Sequence, residues 1–136
     1  MKLVHLALVT TLGGTSKNPG ILTGPRGILR YTHPKLSYDE VIWTLKVPKG
    51  KRVKIIGSNV DIDEGAEIKI VFFNDDTADS KFEKGEFYGR NYNSKTFSMI
   101  SKSSLTSMNI EFRGGPSGDN FEVKYEISKI HLTIIL

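Results

Sequence analysis

Three basic side chains, those of Lys49, Lys51 and Arg52, cluster beside Pro48 and Gly50, where the chain is expected to turn. Clustered ammonium and guanidinium groups can hold sulfated glycan, phosphate or nucleic acid, because binding releases counterions from the polyanion. A basic turn at the end of a hairpin can also be solvated and bind nothing. The segment therefore predicts electrostatic binding of a polyanion, with a solvated turn as the alternative.

Aromatic residues form a second candidate binding group. Phe87, Tyr88 and Tyr92 come after a long polar stretch, residues 74–86, which the sequence predicts to be an exposed loop. Aromatic side chains are enriched at binding hot spots, so these three could form a recognition surface. They could equally anchor the loop to the protein interior, and the sequence leaves both interpretations open.

No set of residues has the spacing of a catalytic or cofactor site. His5, His33 and His131 are far apart in sequence and share no motif. A nucleophile elbow, a metalloprotease helix and a glycine-rich phosphate loop are all missing from the sequence. The absence of cysteine excludes disulfides, thiolate catalysis and cysteine-based zinc sites. We therefore expect no enzyme activity, no cofactor and no metal site.

The composition narrows the class of partner. The 136 residues suit a single domain, 1–136, and the formal net charge is +4. This charge is below that of a dedicated nucleic-acid binder, so we do not expect nucleic acid as the partner. No apolar run reaches the roughly 20 residues that a membrane-spanning helix needs.

Period-2 alternation of apolar and polar residues dominates the chain and indicates β-strands. Trp43 alternates with Val41, Leu45 and Val47, so we expect it to lie in the core. Turn residues punctuate the alternating runs, and helical spacing is almost absent. The pattern predicts an all-β fold, an antiparallel two-sheet sandwich of jelly-roll-like form. Further alternating runs cover residues 68–72, 108–112 and 121–127.

Several segments follow one another in the order of a known family signature. Val41-Ile42-Trp43-Thr44-Leu45 and Val47-Pro48-Lys49-Gly50 resemble the Cys-x-Trp-x-Ile and Pro-x-Gly elements of a CUB domain. The resemblance covers about residues 18–127 and implies a two-layer antiparallel sandwich in an extracellular or secreted protein. The other matching segments are Gly20–Gly27, Pro34–Tyr38, Asp61–Asp63, Phe87–Gly89, and Phe112 followed by Phe121–Tyr125.

The chain departs from the family pattern at the cysteines. CUB domains usually carry two disulfides, and the matching positions here are Asn18, Val41, about Asp63, and Tyr88. Losing a native disulfide typically costs about 2–5 kcal/mol, so packing or assembly must supply that stability.

A second departure concerns calcium, which many CUB domains bind through three carboxylates. Asp63 could take one of these positions, but the other two fall near Ala66 and Gly115, which have no carboxylate. Calcium prefers about six to eight oxygen ligands, so the resemblance does not imply a working calcium site here.

Both ends of the chain lie outside the resemblance and are strand-like. Residues 1–12 are apolar on both faces, as in a strand buried on both sides, although residues 1–14 could also be a signal peptide. Residues 129–136 alternate out of phase with residues 121–127, which predicts a bulge, a bend or a change of sheet near Ser128-Lys129. Such strands could complete this domain's own sheets or pair with a neighbouring subunit.

The function expected first is that of a non-enzymatic extracellular interaction or structural module. It would form homo-oligomers through sheet faces or strand addition. The alternative is a secreted module that binds carbohydrate or another polyanion through Lys49, Lys51 and Arg52. A virion or filament subunit is a third class that a small sandwich could serve.

Overall fold

The computed structural model describes residues 8–9, 13–35, 39–74, 83–102 and 105–129. This part of the chain contains ten β-strands and one four-residue helix. In chain order they are β1 (Leu8–Val9), β2 (Gly20–Leu22), β3 (Arg26–His33), β4 (Glu40–Lys46), β5 (Lys51–Asp61), β6 (Glu67–Phe73), β7 (Glu83–Tyr88), α1 (Gly89–Tyr92), β8 (Phe97–Ile100), β9 (Ser107–Arg113) and β10 (Asp119–Lys129).

The strands form two packed five-stranded sheets, which confirms the predicted all-β sandwich. Sheet A has the strand order β1-β3-β10-β5-β8, and sheet B has the order β2-β4-β9-β6-β7. Most neighbours are antiparallel, but β1 pairs with β3, and β2 with β4, in parallel. Parallel pairing needs a crossover connection, and the chain provides one because strands β1 to β6 alternate between the two sheets.

Trp43 lies fully buried between the sheets, as the alternation of its strand predicted. The Tyr31 ring of sheet A meets the Trp43 ring of sheet B edge-on at a centroid distance of 4.8 Å. The Phe121 ring, also from sheet A, packs edge-on against Trp43 as well. Edge-to-face pairs of this kind add to the stabilisation that burial alone gives. The core therefore has an aromatic centre contributed by both sheets.

The turn after β4 does not close a hairpin, contrary to our expectation. The Lys51 amide donates to the Pro48 carbonyl oxygen at 3.1 Å, and Gly50 has a φ of +83°. A type II turn requires this left-handed conformation, which glycine adopts without steric cost. β4 belongs to sheet B and β5 to sheet A, so the turn carries the chain from one sheet to the other.

The irregularity expected near Ser128-Lys129 does not occur in the described part of β10, and residues 130–136 lie outside that part. β10 pairs with β5 in uniform register from Glu122 to Lys129, and the register shifts instead between Asn120 and Glu122. Asn59 of β5 sits at this point with a φ of +50°. Asparagine tolerates the left-handed region better than most residues, so the bulge forms in β5.

Two predicted segments have mixed outcomes. Residues 83–86, expected in a loop, belong to strand β7, which pairs with β6. Charged residues protect an exposed sheet edge, and they gave this strand its loop-like polarity. Leu8 and Val9 of the predicted first strand pair with β3 of the same chain. The rest of residues 1–12, residues 75–82 and residues 130–136 lie outside the described part.

We predict that Trp43→Ala lowers the free energy of unfolding by about 3–5 kcal/mol, because it removes the largest side chain of the core. Ile21→Ala is the control, since Ile21 is 55% exposed and its truncation should change stability by less than about 0.5 kcal/mol. Urea titration measures both values. Equal stability of the two variants would contradict the central position of Trp43.

Candidate functional site

The outer faces of the two sheets differ in charge. On sheet A, the side chains at even positions of β3, β8 and β10 point away from the core, as do those of β5 up to the bulge and Asp61 beyond it. Five of these side chains are basic and three are acidic. On sheet B, four basic side chains accompany four acidic ones. The sheet A residues are Arg26, Arg30, Arg52, Lys54 and Lys124 with Asp61, Glu122 and Glu126. The sheet B residues are Lys46, Lys69, Lys84 and Arg113 with Glu40, Glu67, Glu86 and Glu111.

The outer face of sheet A therefore has an excess of two positive charges, half of the chain's net charge of +4. Two of its three carboxylates form ion pairs: Oε1 of Glu122 lies 3.3 Å from Nε of Arg30, and Oε1 of Glu126 lies 4.0 Å from a terminal nitrogen of Arg26. Among the described residues, no carboxylate forms an ion pair with Arg52, Lys54 or Lys124. We call these three residues the basic strip.

Strand register places the basic strip across the middle of sheet A. Arg52 and Lys54 are two residues apart on β5. Lys124 of β10 lies opposite Ile56, which is two residues beyond Lys54 on β5. From Arg52 to the level of Lys124 the distance is roughly 14 Å, because each residue of a strand advances about 3.4 Å. All three side chains are exposed. The strip can thus contact several anionic groups of one extended ligand.

The basic turn predicted from the sequence supplies one member of this strip. Arg52 points to the outer face of sheet A, and Lys49 is exposed in the turn that leads to it. Lys51 is half-buried at the start of β5, where its backbone lies opposite Lys129 of β10 in the sheet. Lys54 and Lys124 were missed because the sequence prediction stopped at the turn, although alternation already indicated their side of the strands.

The predicted aromatic recognition surface is wrong for Phe87. Its ring is 8% exposed and stacks on Phe97 at a centroid distance of 3.8 Å. Tyr92 meets both rings edge-on and packs against the core. These residues anchor α1 and β8 between the sheet edges, which was the alternative that the sequence left open.

Tyr88 is half-exposed on the outer face of sheet B. The Arg90 guanidinium lies 4.8 Å from the centre of its ring. A hydrogen bond with Glu67, strengthened by the charge of that carboxylate, raises the pKa of the Tyr88 hydroxyl. The ring and hydroxyl thus have partners within the chain, and no group of exposed aromatic rings forms around Tyr88 in the described part.

Two carboxylates meet where the acidic segment after β5 approaches the start of β10. Asp119 is fully buried, and its oxygens accept the amides of Asp63 and Gly115 at 2.6 and 2.8 Å. The Asp63 carboxylate accepts the Ser117 amide at 2.9 Å, which holds the pKa of Asp63 below its usual value. These carboxylates therefore cap backbone amides of the loop.

The same corner contains two positions that the resemblance assigned to a calcium site. A Cβ added at Gly115 would collide with the Asp63 carboxylate, so this position cannot take a side chain without rearrangement. In the described ranges, no three His, Cys, Asp or Glu residues are grouped so that they could hold a metal ion.

A polar depression that the sequence did not reveal lies beside the basic strip, at the bulge of β5. It has a volume of about 270 Å³, and we call it the bulge pocket. Glu122, only 7% exposed, lies in its wall and accepts Nε of Arg30 at 3.3 Å and Nδ2 of Asn59 at 2.6 Å. The pocket is lined by Arg30, Tyr31, Thr32, Asn59, Asn120, Phe121 and Glu122.

Comparison with known proteins does not identify the chain. No model of a protein family matches it, and a search of curated proteins finds no match. The likeness to CUB domains therefore stays a prediction from the sequence. Within the described ranges, no helix is long and apolar enough to cross a membrane.

Proposed function

We propose that this protein is a non-enzymatic binding module for acidic polysaccharide, and that the outer face of sheet A is its binding surface. The observation that supports this proposal is the basic strip, three exposed cations without an ion-pair partner among the described residues. Ammonium and guanidinium groups spaced along a strand suit the regular anionic groups of a polymer. Binding would be mainly electrostatic and would weaken as salt is added.

The chemistry of the face favours acidic glycan over nucleic acid. Proteins that bind single-stranded nucleic acid combine basic grooves with aromatic side chains on which bases stack. The described residues on the outer face of sheet A include no aromatic side chain that points outward. Exposed Ile56 and Ile100 offer aliphatic contacts instead. An acidic polysaccharide partner also agrees with the extracellular location and CUB-like identity that the sequence predicted, which we retain as parts of the proposal.

We predict that changing Arg52, Lys54 and Lys124 together to alanine lowers the salt concentration at which the protein elutes from immobilised heparin. By analogy with polyphosphates, the slope of log K against log salt should fall by about two to three, because three contacts are lost. Arg113, Lys46 and Lys84 changed to alanine are the control, because this triple change removes equal charge from the outer face of sheet B.

Equal losses in the two triple variants would mean that net charge, and not the basic strip, causes retention. Failure of the unmodified protein to bind heparin at low salt would contradict the proposal. Tighter binding to single-stranded DNA than to heparin at equal salt would assign the face to nucleic acid instead.

A second function, self-association, is supported by the difference between two sheet edges. The edge strand β7 carries Glu83, Lys84 and Glu86, whereas the edge strand β8 contains no charged residue. Uncharged edges are not protected against pairing with another chain. Ile100 at the end of β8 is 58% exposed, so a strand added there would also cover apolar surface. A virion or filament subunit would need the same self-association.

We predict that the protein forms oligomers in analytical ultracentrifugation and that Ile100→Lys shifts it towards monomer, because a charge at the edge opposes strand addition. Ile56→Lys is the control, since Ile56 is also exposed on sheet A but lies on the inner strand β5, where no strand can be added. A protein that stays monomeric across the concentration series, or equal effects of both substitutions, would contradict this second function.

A further inference from the structure

The bulge pocket contains an arginine, Arg30, that is paired with the buried carboxylate of Glu122. Glu122 is 7% exposed, and a buried carboxylate must be paired to remain ionised without a large cost. Its two oxygens accept Arg30 and Asn59 from two different strands. Asn59 lies at the bulge with a φ of +50°. This left-handed backbone conformation places its side-chain amide within hydrogen-bond distance of Glu122.

Arg30 is held through Nε alone, which leaves its terminal nitrogens for a ligand. The side chain is 62% exposed, and no other described residue forms a hydrogen bond with its guanidinium. The planar pair of terminal nitrogens matches the two oxygens of a carboxylate. Because Glu122 already fixes the orientation of the group, a ligand would not have to order it.

The groups around Arg30 suit hydroxyls. Thr32 of β3 lies opposite Asn120 of β10. Each is two residues from its strand's member of the Arg30–Glu122 pair, on the same face of the sheet. Both are exposed at the rim of the pocket and can donate and accept hydrogen bonds. A ligand with one carboxylate on a hydroxyl-bearing ring would use all of these groups.

Charge also favours a singly charged ligand over a dianionic phosphate monoester. Arg30 and Glu122 together carry no net charge, so the pocket offers directed donors but little net attraction for a dianion. The basic strip lies beside the pocket on the same face, since Lys124 is two residues from Glu122 on β10. A polymer along the strip could thus place a terminal sugar in the pocket.

We propose that the bulge pocket is a subsite for a uronic acid residue, with the sugar carboxylate held by the terminal nitrogens of Arg30. The hydroxyls of the ring would bond to Thr32, Asn59 and Asn120. This inference rests on the proposed binding of acidic polysaccharide and names the sugar that gives that binding its specificity. Glu122 and Asn59 are positioning residues that act through Arg30.

The test compares two small ligands that differ only in the carboxylate. Binding of methyl glucuronide and of methyl glucoside is measured by calorimetry. A ligand concentration of about 10 mM exceeds the roughly millimolar Kd expected for a single sugar. We expect the glucuronide to bind at least about tenfold more tightly than the glucoside. Arg30→Lys keeps the charge but loses the bidentate geometry, so it should weaken glucuronide binding about tenfold or more.

Arg26→Lys is the matched control, because Arg26 lies on the same strand and face and pairs with Glu126. It should leave glucuronide binding unchanged. Absence of glucuronide binding, equal binding of the glucoside, or equal effects of the two substitutions would overturn the subsite.

Retention on dextran sulfate, which has no carboxylate, separates the subsite from the proposed function. We expect Arg30→Lys to keep this retention, which the basic strip should provide. Retention without glucuronide binding would overturn the subsite alone. Glucuronide binding without retention would support the subsite and contradict the polymer-binding function.

Discussion

The fold depends on the burial of apolar side chains between two sheets, because the chain has no cysteine with which to cross-link them. Trp43, Phe112 and Phe121 come from both sheets and meet in the core with almost no exposed surface. Burial of a large aromatic side chain contributes several kcal/mol, similar to the contribution of a disulfide. Burial between the sheets uses only one face of each strand, so the outer faces can carry charged side chains.

The outer faces differ because sheet B balances its charges and sheet A does not. On sheet A, Arg30 and Arg26 have carboxylate partners across the strand pair, whereas the basic strip has none among the described residues. Like charges that are close together repel one another, so an unbalanced face costs stability unless a ligand neutralises it. The bulge adds shape to this face, because the extra residue in β5 opens a pocket beside flat sheet. Charge and shape therefore coincide on one side of the sandwich.

Local patterns in the sequence predicted the strands well and their partners poorly. Alternation around Trp43 correctly placed that residue in the core, and Pro48 with Gly50 correctly marked a turn. The turn could not reveal that β5 enters the other sheet, because that choice depends on contacts with β10, far along the chain. Strand β7 was missed since its edge position favours charged residues over an apolar stripe.

Only those residues of the candidate site that are neighbours in the sequence could be predicted. Arg52 belongs to a visible basic cluster, but Arg30 and Glu122 are 92 positions apart, and only the pairing of β3 with β10 brings them together. The left-handed conformation of Asn59 could not be predicted from the sequence, since asparagine is also common in turns with ordinary dihedral angles. Phe87 looked like a surface aromatic because polar residues precede it, but the stacking on Phe97 buries its ring.

The central claim is that acidic glycan binds to the outer face of sheet A. The most direct test is a titration of the isotope-labelled protein with a heparin-derived oligosaccharide, followed by two-dimensional amide NMR. We expect the amide shifts to concentrate in β3, β5 and β10, with the largest changes near Arg30, Lys54 and Lys124. Shifts confined to sheet B or to the region around Tyr88, or no shifts at low salt, would contradict it.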